Sequence, residues 1–468
     1  MLRTLRAPAR LRPSLAFVLL SSMLTLLWLV GGASVAVVMG QVVIRTASII
    51  VLIAATLFGL RPDVQDAKPV WVILGAAIGL ALLQLVPLPP VLWQALPGRA
   101  MFAEVALAAG QPQPWRTWAI VPGGAINAAA SLIVPLAVLV SLNCLRHDER
   151  TSLPGLLLAV IVGAMLVGLL QFSGADITNS LVNAERGMID GLFANRNHFA
   201  LFLAIGCVVA PVWAYNRDNV KRSSNRLRVK WRVPVAFALV ILFVLVILAS
   251  GSRAGILLGL LGIGIGLLIV HHHIGNDLKH YDRWVFPAVI AGIIGMFALA
   301  VLVSVMAGRA VSIDRVVTFA LTQDLRARNL PIVLKMVWDY FPAGSGFGGF
   351  DPLFRIYEPL QFLQPEYFNH AHNDFVEVVL DGGLAALLLL IGALAWWARS
   401  TIRAWRSPAD GQALPRMGSA ILLLIFAASA VDYPARTPII MAVAVIAAMC
   451  LSFQATGRVP LPGSTKQL

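Results

Sequence analysis

Charge is what this chain has least of. Only 12% of its 468 residues are Asp, Glu, Lys or Arg, against 59% hydrophobic, and the mean hydropathy is +0.82. A water-soluble fold of this length needs far more polar surface, so that class is excluded. Apolar runs of about 20 residues recur instead, as in a membrane protein. Cysteine is nearly absent too. Cys144, Cys207 and Cys450 all fall in or beside apolar runs, which argues against a disulfide framework and against a metal cluster. There is no internal repeat and no low-complexity segment, so residues 1–468 read as a single polytopic domain. Acidic residues are the scarcer sign, 22 against 36 basic. That excess could suggest nucleic acid in a soluble chain. Here it reports basic loops on one membrane face, and no nucleic-acid partner is expected.

The apolar runs predict twelve spans, at 15–38, 43–60, 70–88, 125–145, 154–172, 198–215, 234–250, 254–272, 285–307, 375–397, 418–433 and 437–453. Basic residues orient them. Arg3, Arg6, Arg10 and Arg12 lie in the N-terminal tail, Arg217 to Arg232 in the loop 216–233, and Arg399, Arg403, Arg406 and Arg416 in the loop 398–417. With twelve spans these segments share one side, which the positive-inside rule makes cytoplasmic, and both termini lie there. Ala33-Ser-Val-Ala36 resembles a cleavable site, but the run before it is long for a signal peptide, so an anchor is expected. The opposite face receives the longer polar intervals, 89–124, 173–197 and 308–374. The first, rich in proline and tryptophan, suits irregular structure or short helices. The last is a long loop between spans nine and ten, with an amphipathic helix expected around Leu325 to Tyr340. The fold expected is all-α.

Several groups on that face could do chemistry. His370, His372 and Asn373 sit where the polar interval ends and the tenth span begins. Asp374 followed by Glu377 reads as a capping arrangement for that helix start. A helix N-terminus attracts phosphates and holds a nearby imidazole neutral, which suits a general base acting on a phosphate-leaving substrate. His372 is preferred to His370 because the helix-start position and the following Asn belong to it. Arg196 stands immediately before the sixth span, and Arg253, in Ala249-Ser-Gly-Ser-Arg-Ala-Gly255, starts the eighth. The dipole opposes an arginine there, so each is either an interfacial anchor or a functional cation. Their span boundaries have the same parity as that of His372, so all three share one face. A guanidinium fork suits a diphosphate and stays ionised. Arg328 and Lys335 could add contacts, or form the solvated face of an amphipathic helix. Gly344-Ser-Gly-Phe-Gly-Gly349 follows no strand and reads as a tight loop rather than a nucleotide fingerprint. His271-His-His273 reads as a polar helix end. Glu377 and Asp381 lie inside the tenth span, where charge is expensive. Asp381 is expected to orient a catalytic side chain or to pair with an arginine.

The order and placement of Asn195-Arg-Asn197, Ser250-Gly-Ser-Arg-Ala-Gly255, Pro342-Ala-Gly-Ser-Gly-Phe-Gly-Gly-Phe350 and His372-Asn373 with Gly382-Gly383 carry a resemblance. Over residues 190–400 the chain resembles the O-antigen ligase and O-antigen polymerase superfamily of bacterial integral-membrane glycosyltransferases. The resemblance implies glycan transfer from an undecaprenyl-diphosphate carrier at the periplasmic face of the inner membrane, with no metal and no cofactor. It implies that Arg196 and Arg253 contact the diphosphate and that His372 activates the acceptor hydroxyl. Asn373, His370, Arg328, Asn195 and Asn197 complete the expected substrate site. The acceptor is a lipid A core sugar for a ligase and the growing polysaccharide for a polymerase. The glycine pair stands where ligases tend to carry a longer Gly-x-x-Gly pattern, which leaves the two open. A transporter of polysaccharide or lipid-linked glycan is the other class. Transporters concentrate ionisable groups near the midplane, whereas these crowd helix ends.

Overall fold

The computed structural model describes residues 12–453 except 36, 183–186, 216–230, 279–294, 296–324, 364–367 and 409–410. Among the described residues the fold is all-helical, 73% helix. Among the described residues strand pairing is confined to Pro87–Leu88 against antiparallel Arg116–Thr117. The first half contains α1 (Leu15–Val30), α2 (Met39–Leu57), α3 (Lys68–Leu83), α4 (Pro90–Ala95), α5 (Ala100–Ala108), α6 (Pro122–Ser131), α7 (Ile133–Asn143), the single turn α8 (His147–Arg150) and α9 (Leu153–Phe172). The second contains α10 (Arg196–Ala214), α11 (Arg232–Ala249), α12 (Arg253–Leu278), α13 (Leu325–Tyr340), α14 (Phe350–Tyr357), α15 (Asp374–Arg406), α16 (Ala413–Ser429) and α17 (Pro438–Ser452). Seven stretches among these residues are long and apolar enough to cross a membrane, namely α2, α6 with α7, α9, α10, α11, most of α12, and α15. Four apolar helices, α1, α3, α16 and α17, are shorter. The span expected at 285–307 lies, apart from residue 295, outside the described residues.

Several expected boundaries move, and the run 15–38 is helix only to Val30, with the next helix starting at Met39. The run 125–145 is two helices meeting at Leu132. The run 375–397 continues as helix to Arg406, so Arg399, Arg403 and Arg406 ride on the last turns of α15 rather than in a loop.

Helix α10 is the axis of the bundle. It is buried at almost every position from His198 to Ala214, as a helix apolar all round must be. It packs against α9, α11, α12 and α16. Small residues set the α10–α12 spacing. Gly262 lies on the Ala204 carbonyl and Gly266 on that of Cys207, so the two backbones nearly touch.

Helix α15 is broken rather than continuous. Gly383 has φ 58° and ψ −144°, a conformation that a side chain would oppose, and a Cβ there would collide with the Pro342 carbonyl. The break frees backbone groups that the glycine-rich loop after α13 satisfies. Leu384 N–H donates to the Pro342 carbonyl at 2.9 Å, and Ser345 and Gly346 N–H donate to Leu380 and Asp381 carbonyls at 2.9 Å each. Gln84 clasps both strands of this joint, donating to the Asp381 carbonyl at 3.0 Å and accepting from Phe347 N–H at 2.8 Å. Buried Arg99 donates to the Gly344 carbonyl at 3.0 Å. The loop is thus an irregular segment held against a membrane helix by protein groups, which is the condition for such backbone to lie there.

Candidate functional site

The site is organised by a segment of eight residues between α16 and α17, Ala430-Val-Asp-Tyr-Pro-Ala-Arg-Thr437. The chain leaves α16 at Ser429, turns through a 3-10 stretch at Pro434–Arg436, and enters α17 at Pro438, where proline's missing N–H is no loss. Asp432, only 2% exposed, projects from it among groups from three other elements. Asn197 Nδ2, in the first turn of α10, donates to Asp432 Oδ2 at 2.7 Å. Arg326 Nη2, near the start of α13, lies 3.3 Å from the same oxygen. His372 Nδ1 is 3.3 Å from Oδ1, and His198 Nε2 is 3.8 Å from it.

His372 arrives by an irregular route. Its φ is 51°, in the left-handed region, so the chain reverses there and Asn373 can cap α15. Asn373 Oδ1 accepts from Val376 N–H at 3.1 Å, and its Nδ2 donates to the Ala430 carbonyl at 3.0 Å. This corrects the expected cap: Asn373 performs it, and Asp374 and Glu377 are used elsewhere. The Tyr433 ring lies among three imidazoles, with centroids 4.3 Å from His370, 4.9 Å from His372 and 5.1 Å from His198. Thr437 Oγ1 lies 2.9 Å from His198 Nδ1 and fixes that ring from the far side.

Arg196 and Arg253 are the first residues of α10 and α12, and both are half-buried. The residues beside them join the same network. Asn195 caps α10 by accepting from Asn197 N–H at 2.8 Å. Ser252 Oγ accepts from Gly255 N–H at 3.0 Å and donates to Asn197 Oδ1 at 2.8 Å. A continuous path therefore runs Ser252–Asn197–Asp432–His372, bringing the starts of α10, α12 and α15 to one place. Arg328 goes elsewhere. Its guanidinium lies 4.2 Å over the Phe362 ring, and Arg326, two residues earlier, is the α13 cation that reaches the cluster.

Beneath this hub lies a second cluster of opposite sign. Asp374, Glu377 and Asp381 recur at helical spacing on one face of α15, and all converge on Arg436. Arg436 Nη2 is 3.1 Å from Glu377 Oε1 and 3.6 Å from Asp381 Oδ2, and its Nε is 3.4 Å from Asp374 Oδ1. Glu377 also accepts from Ala371 N–H at 2.7 Å and lies 2.9 Å from His370 Nδ1. Asp381 does meet an arginine, one that the sequence pattern does not single out.

The turn's groups are electrically distinctive. Burial opposes the charged form of Asp432, but hydrogen bonds from His198 and His372 and the nearby Arg326 hold its carboxyl well below the usual range. Burial, then the Asp432 charge, push the Tyr433 phenol up to about 12. Burial would weaken the charge on Arg436, and the three carboxylates more than restore it, raising its pKa. An ionised Asp432 only accepts, so it draws the Nδ1 proton of His372 and leaves Nε2 with a lone pair. That tautomer is assigned from the network. The arrangement can take a proton from a hydroxyl beside the Arg326 guanidinium.

Asp432, Tyr433, Arg436, Arg326 and His198 are additions to the site expected from sequence. A signal for them exists. Asp432 and Arg436 interrupt two apolar runs at a span boundary of the same parity as those of Arg196, Arg253 and His372, which places them on the same face.

The apolar helices are those of a multi-pass membrane protein. Residues 237–391 match the family model described as O-antigen ligase, which supports a likeness of this part of the chain to the O-antigen ligase and polymerase superfamily. A comparison with curated proteins finds no match. The matched stretch holds Arg253, Arg328, His370, His372 and Asn373. Asn195, Arg196, Asn197 and the whole turn from Asp432 to Arg436 lie outside it.

Proposed function

We propose that this protein transfers a glycan from an undecaprenyl-diphosphate carrier to an acceptor hydroxyl at the periplasmic face of the inner membrane, without a metal. The observation that carries the reading is the hydrogen-bonded path from Ser252 through Asn197 and Asp432 to His372, because it unites the starts of three helices far apart in sequence. His372 Nε2 takes the acceptor proton while Asp432 holds the ring and stabilises the imidazolium that forms. The acceptor oxygen attacks the anomeric carbon, the bond from that carbon to the diphosphate oxygen breaks, and the carrier diphosphate leaves with the electron pair. Direct displacement inverts the anomeric configuration. Arg196, Arg253 and Arg326 bind the diphosphate and stabilise its departing charge. Asn195, Asn197, His370 and Asn373 hold the geometry around them, and Arg328 stands at the rim. Twelve spans with both termini cytoplasmic, and a long loop over 308–374 between spans nine and ten, put this end outside.

Ligase and polymerase differ in the acceptor, lipid A core sugar or growing chain. Purified protein incubated with carrier-linked oligosaccharide, with and without lipid A core, separates them. A single capped lipid product that needs core marks a ligase; a ladder without core marks a polymerase. His372→Ala and Arg253→Ala abolish either product and EDTA changes neither. Full activity in a variant removes that residue from the mechanism, and loss with EDTA overturns the metal-free step. A transporter reading requires Arg253→Ala to still move carrier-linked glycan across a bilayer.

A further inference from the structure

Helix α13 has three faces rather than two. At 3.6 residues per turn, Asn329, Val333, Met336 and Tyr340 form one face, all buried against the protein. Arg328, Lys335 and Asp339 form a polar face, where Lys335 pairs with Asp339 at 2.7 Å. Leu330, Leu334 and Trp338, continued by Phe341, form the third face. These are large apolar side chains exposed at 39%, 50%, 83% and 39%. A continuous exposed apolar stripe marks an interaction surface.

Two observations say what covers it. The chain leaving α13 is hydrogen-bonded to α15 at Leu384, ten residues beyond the start of that span, about 15 Å along its axis. The Trp338 end of α13 is therefore drawn down beside the apolar part of a membrane helix. Leu384, Leu388 and Ile391 of α15 are themselves exposed apolar surface, so the stripe continues the lipid-facing wall of the bundle. A tryptophan next to a water-facing lysine is the composition of a helix lying in the membrane interface.

We propose that α13 is seated in the bilayer along Leu330, Leu334, Trp338 and Phe341, Trp338 end deeper, and that this seat holds Arg326 at headgroup level against Asp432. The occupant is lipid of the leaflet at this end of the bundle. The inference rests on α15 spanning the membrane and not on the transfer reaction.

The test uses full-length protein in phospholipid nanodiscs. Nitroxide labels are placed singly through Leu330→Cys, Trp338→Cys and Lys335→Cys, with Cys144, Cys207 and Cys450 replaced. Labels at 330 and 338 collide more with oxygen than with a water-soluble nickel chelate, the contrast being larger at 338, and the label at 335 shows the reverse. Chelate-dominated collisions at 338 overturn the proposal. So does shielding of 338 from both reagents, which would mean a protein partner. Hydroxyl-radical footprinting of the unmodified protein keeps the proposal falsifiable if a label perturbs folding. Trp338 stays unoxidised in nanodiscs if lipid covers it, and its oxidation overturns the proposal. Neither readout uses catalysis, so failure here leaves the transfer reading untouched.

Discussion

One short turn supplies two charge clusters of opposite design. Around Asp432, a single anion is surrounded by Asn197, His198, Arg326 and His372, drawn from α10, α13 and the loop before α15. Around Arg436, a single cation is surrounded by three carboxylates, all from α15. The upper cluster is fed by separate elements, and His372 and Arg326 remain partly open to an incoming molecule. The lower one is closed, with Glu377 and Asp381 fully buried, and Asp381 Oδ1 has no hydrogen-bond partner. The contrast separates a place where groups are presented from a place where an element is fastened. Arg436 docks the turn onto α15, and Asp432, four residues earlier, then stands where His372 needs it.

Removing the fastener has the largest expected effect. Arg436→Leu strands three carboxylates in a buried site, and breaking such an arrangement from one side typically costs about 3–5 kcal/mol. The expected outcome is low yield and a lowered melting temperature in detergent, with activity lost as a consequence. A variant that melts like the wild type would erase the distinction between the clusters. His372→Ala should behave oppositely, keeping the melting temperature while transfer falls roughly 10²–10⁴-fold, the range for losing a general base.

The same isosteric change in each cluster sharpens the comparison further. Asp432→Asn should slow transfer roughly 10–100-fold, by analogy with losing the hydrogen-bond partner that orients a metal-bound imidazole. Asp381→Asn removes a charge from a cluster that has more carboxylates than cations, so melting temperature and rate should hold or improve. Acid behaviour follows from the depressed Asp432 carboxyl. It stays ionised through the ordinary carboxylate range, so its stabilisation is full above that range and lost only as pH falls through its lower folded value. The melting-temperature gap between wild type and Asp432→Asn should therefore be widest near neutrality and close toward strong acid. A gap that stays constant with pH would detach the Asp432 charge from the stability of the turn.

Much of this arrangement is legible in the amino-acid sequence alone. Hydrophobic runs specify the helices because each span carries its own signal, and parity places Arg196, Arg253 and His372 on one face without contacts. The helix Leu325–Tyr340 also falls where its pattern puts it. Pairing across the chain is what a sequence does not display. Asp374 and Glu377 look like a capping box locally, and only the approach of Arg436, about 60 residues away, claims them instead. Gly382 and Gly383 are visible as a motif pair, but nothing local says why glycine is needed there. Their need for glycine arises from a loop some 40 residues earlier that fits against a broken helix. The turn at 430–437 is inconspicuous because it is short, although its charges are in plain view.

The smallest effect separates two arginines on one helix turn. Arg328 is the substrate contact expected from sequence, yet its guanidinium lies over the Phe362 ring at 4.2 Å and is 3.5 Å from that residue's carbonyl. Arg326 instead donates to the Val431 carbonyl at 2.6 Å and lies 3.3 Å from Asp432. Arg328→Ala should cost stability by about 0.5–1 kcal/mol, the worth of a cation–π contact at a partly exposed site, and leave transfer within about twofold. Arg326→Ala should slow transfer by roughly tenfold, at the low end for a charged hydrogen bond because the side chain is one-third exposed. The ratio of the two rates is the useful quantity, since both variants remove one positive charge from the same helix. If Arg328→Ala proves the more damaging, the cation that matters sits at the rim, and the hub is a scaffold beneath the site rather than part of it.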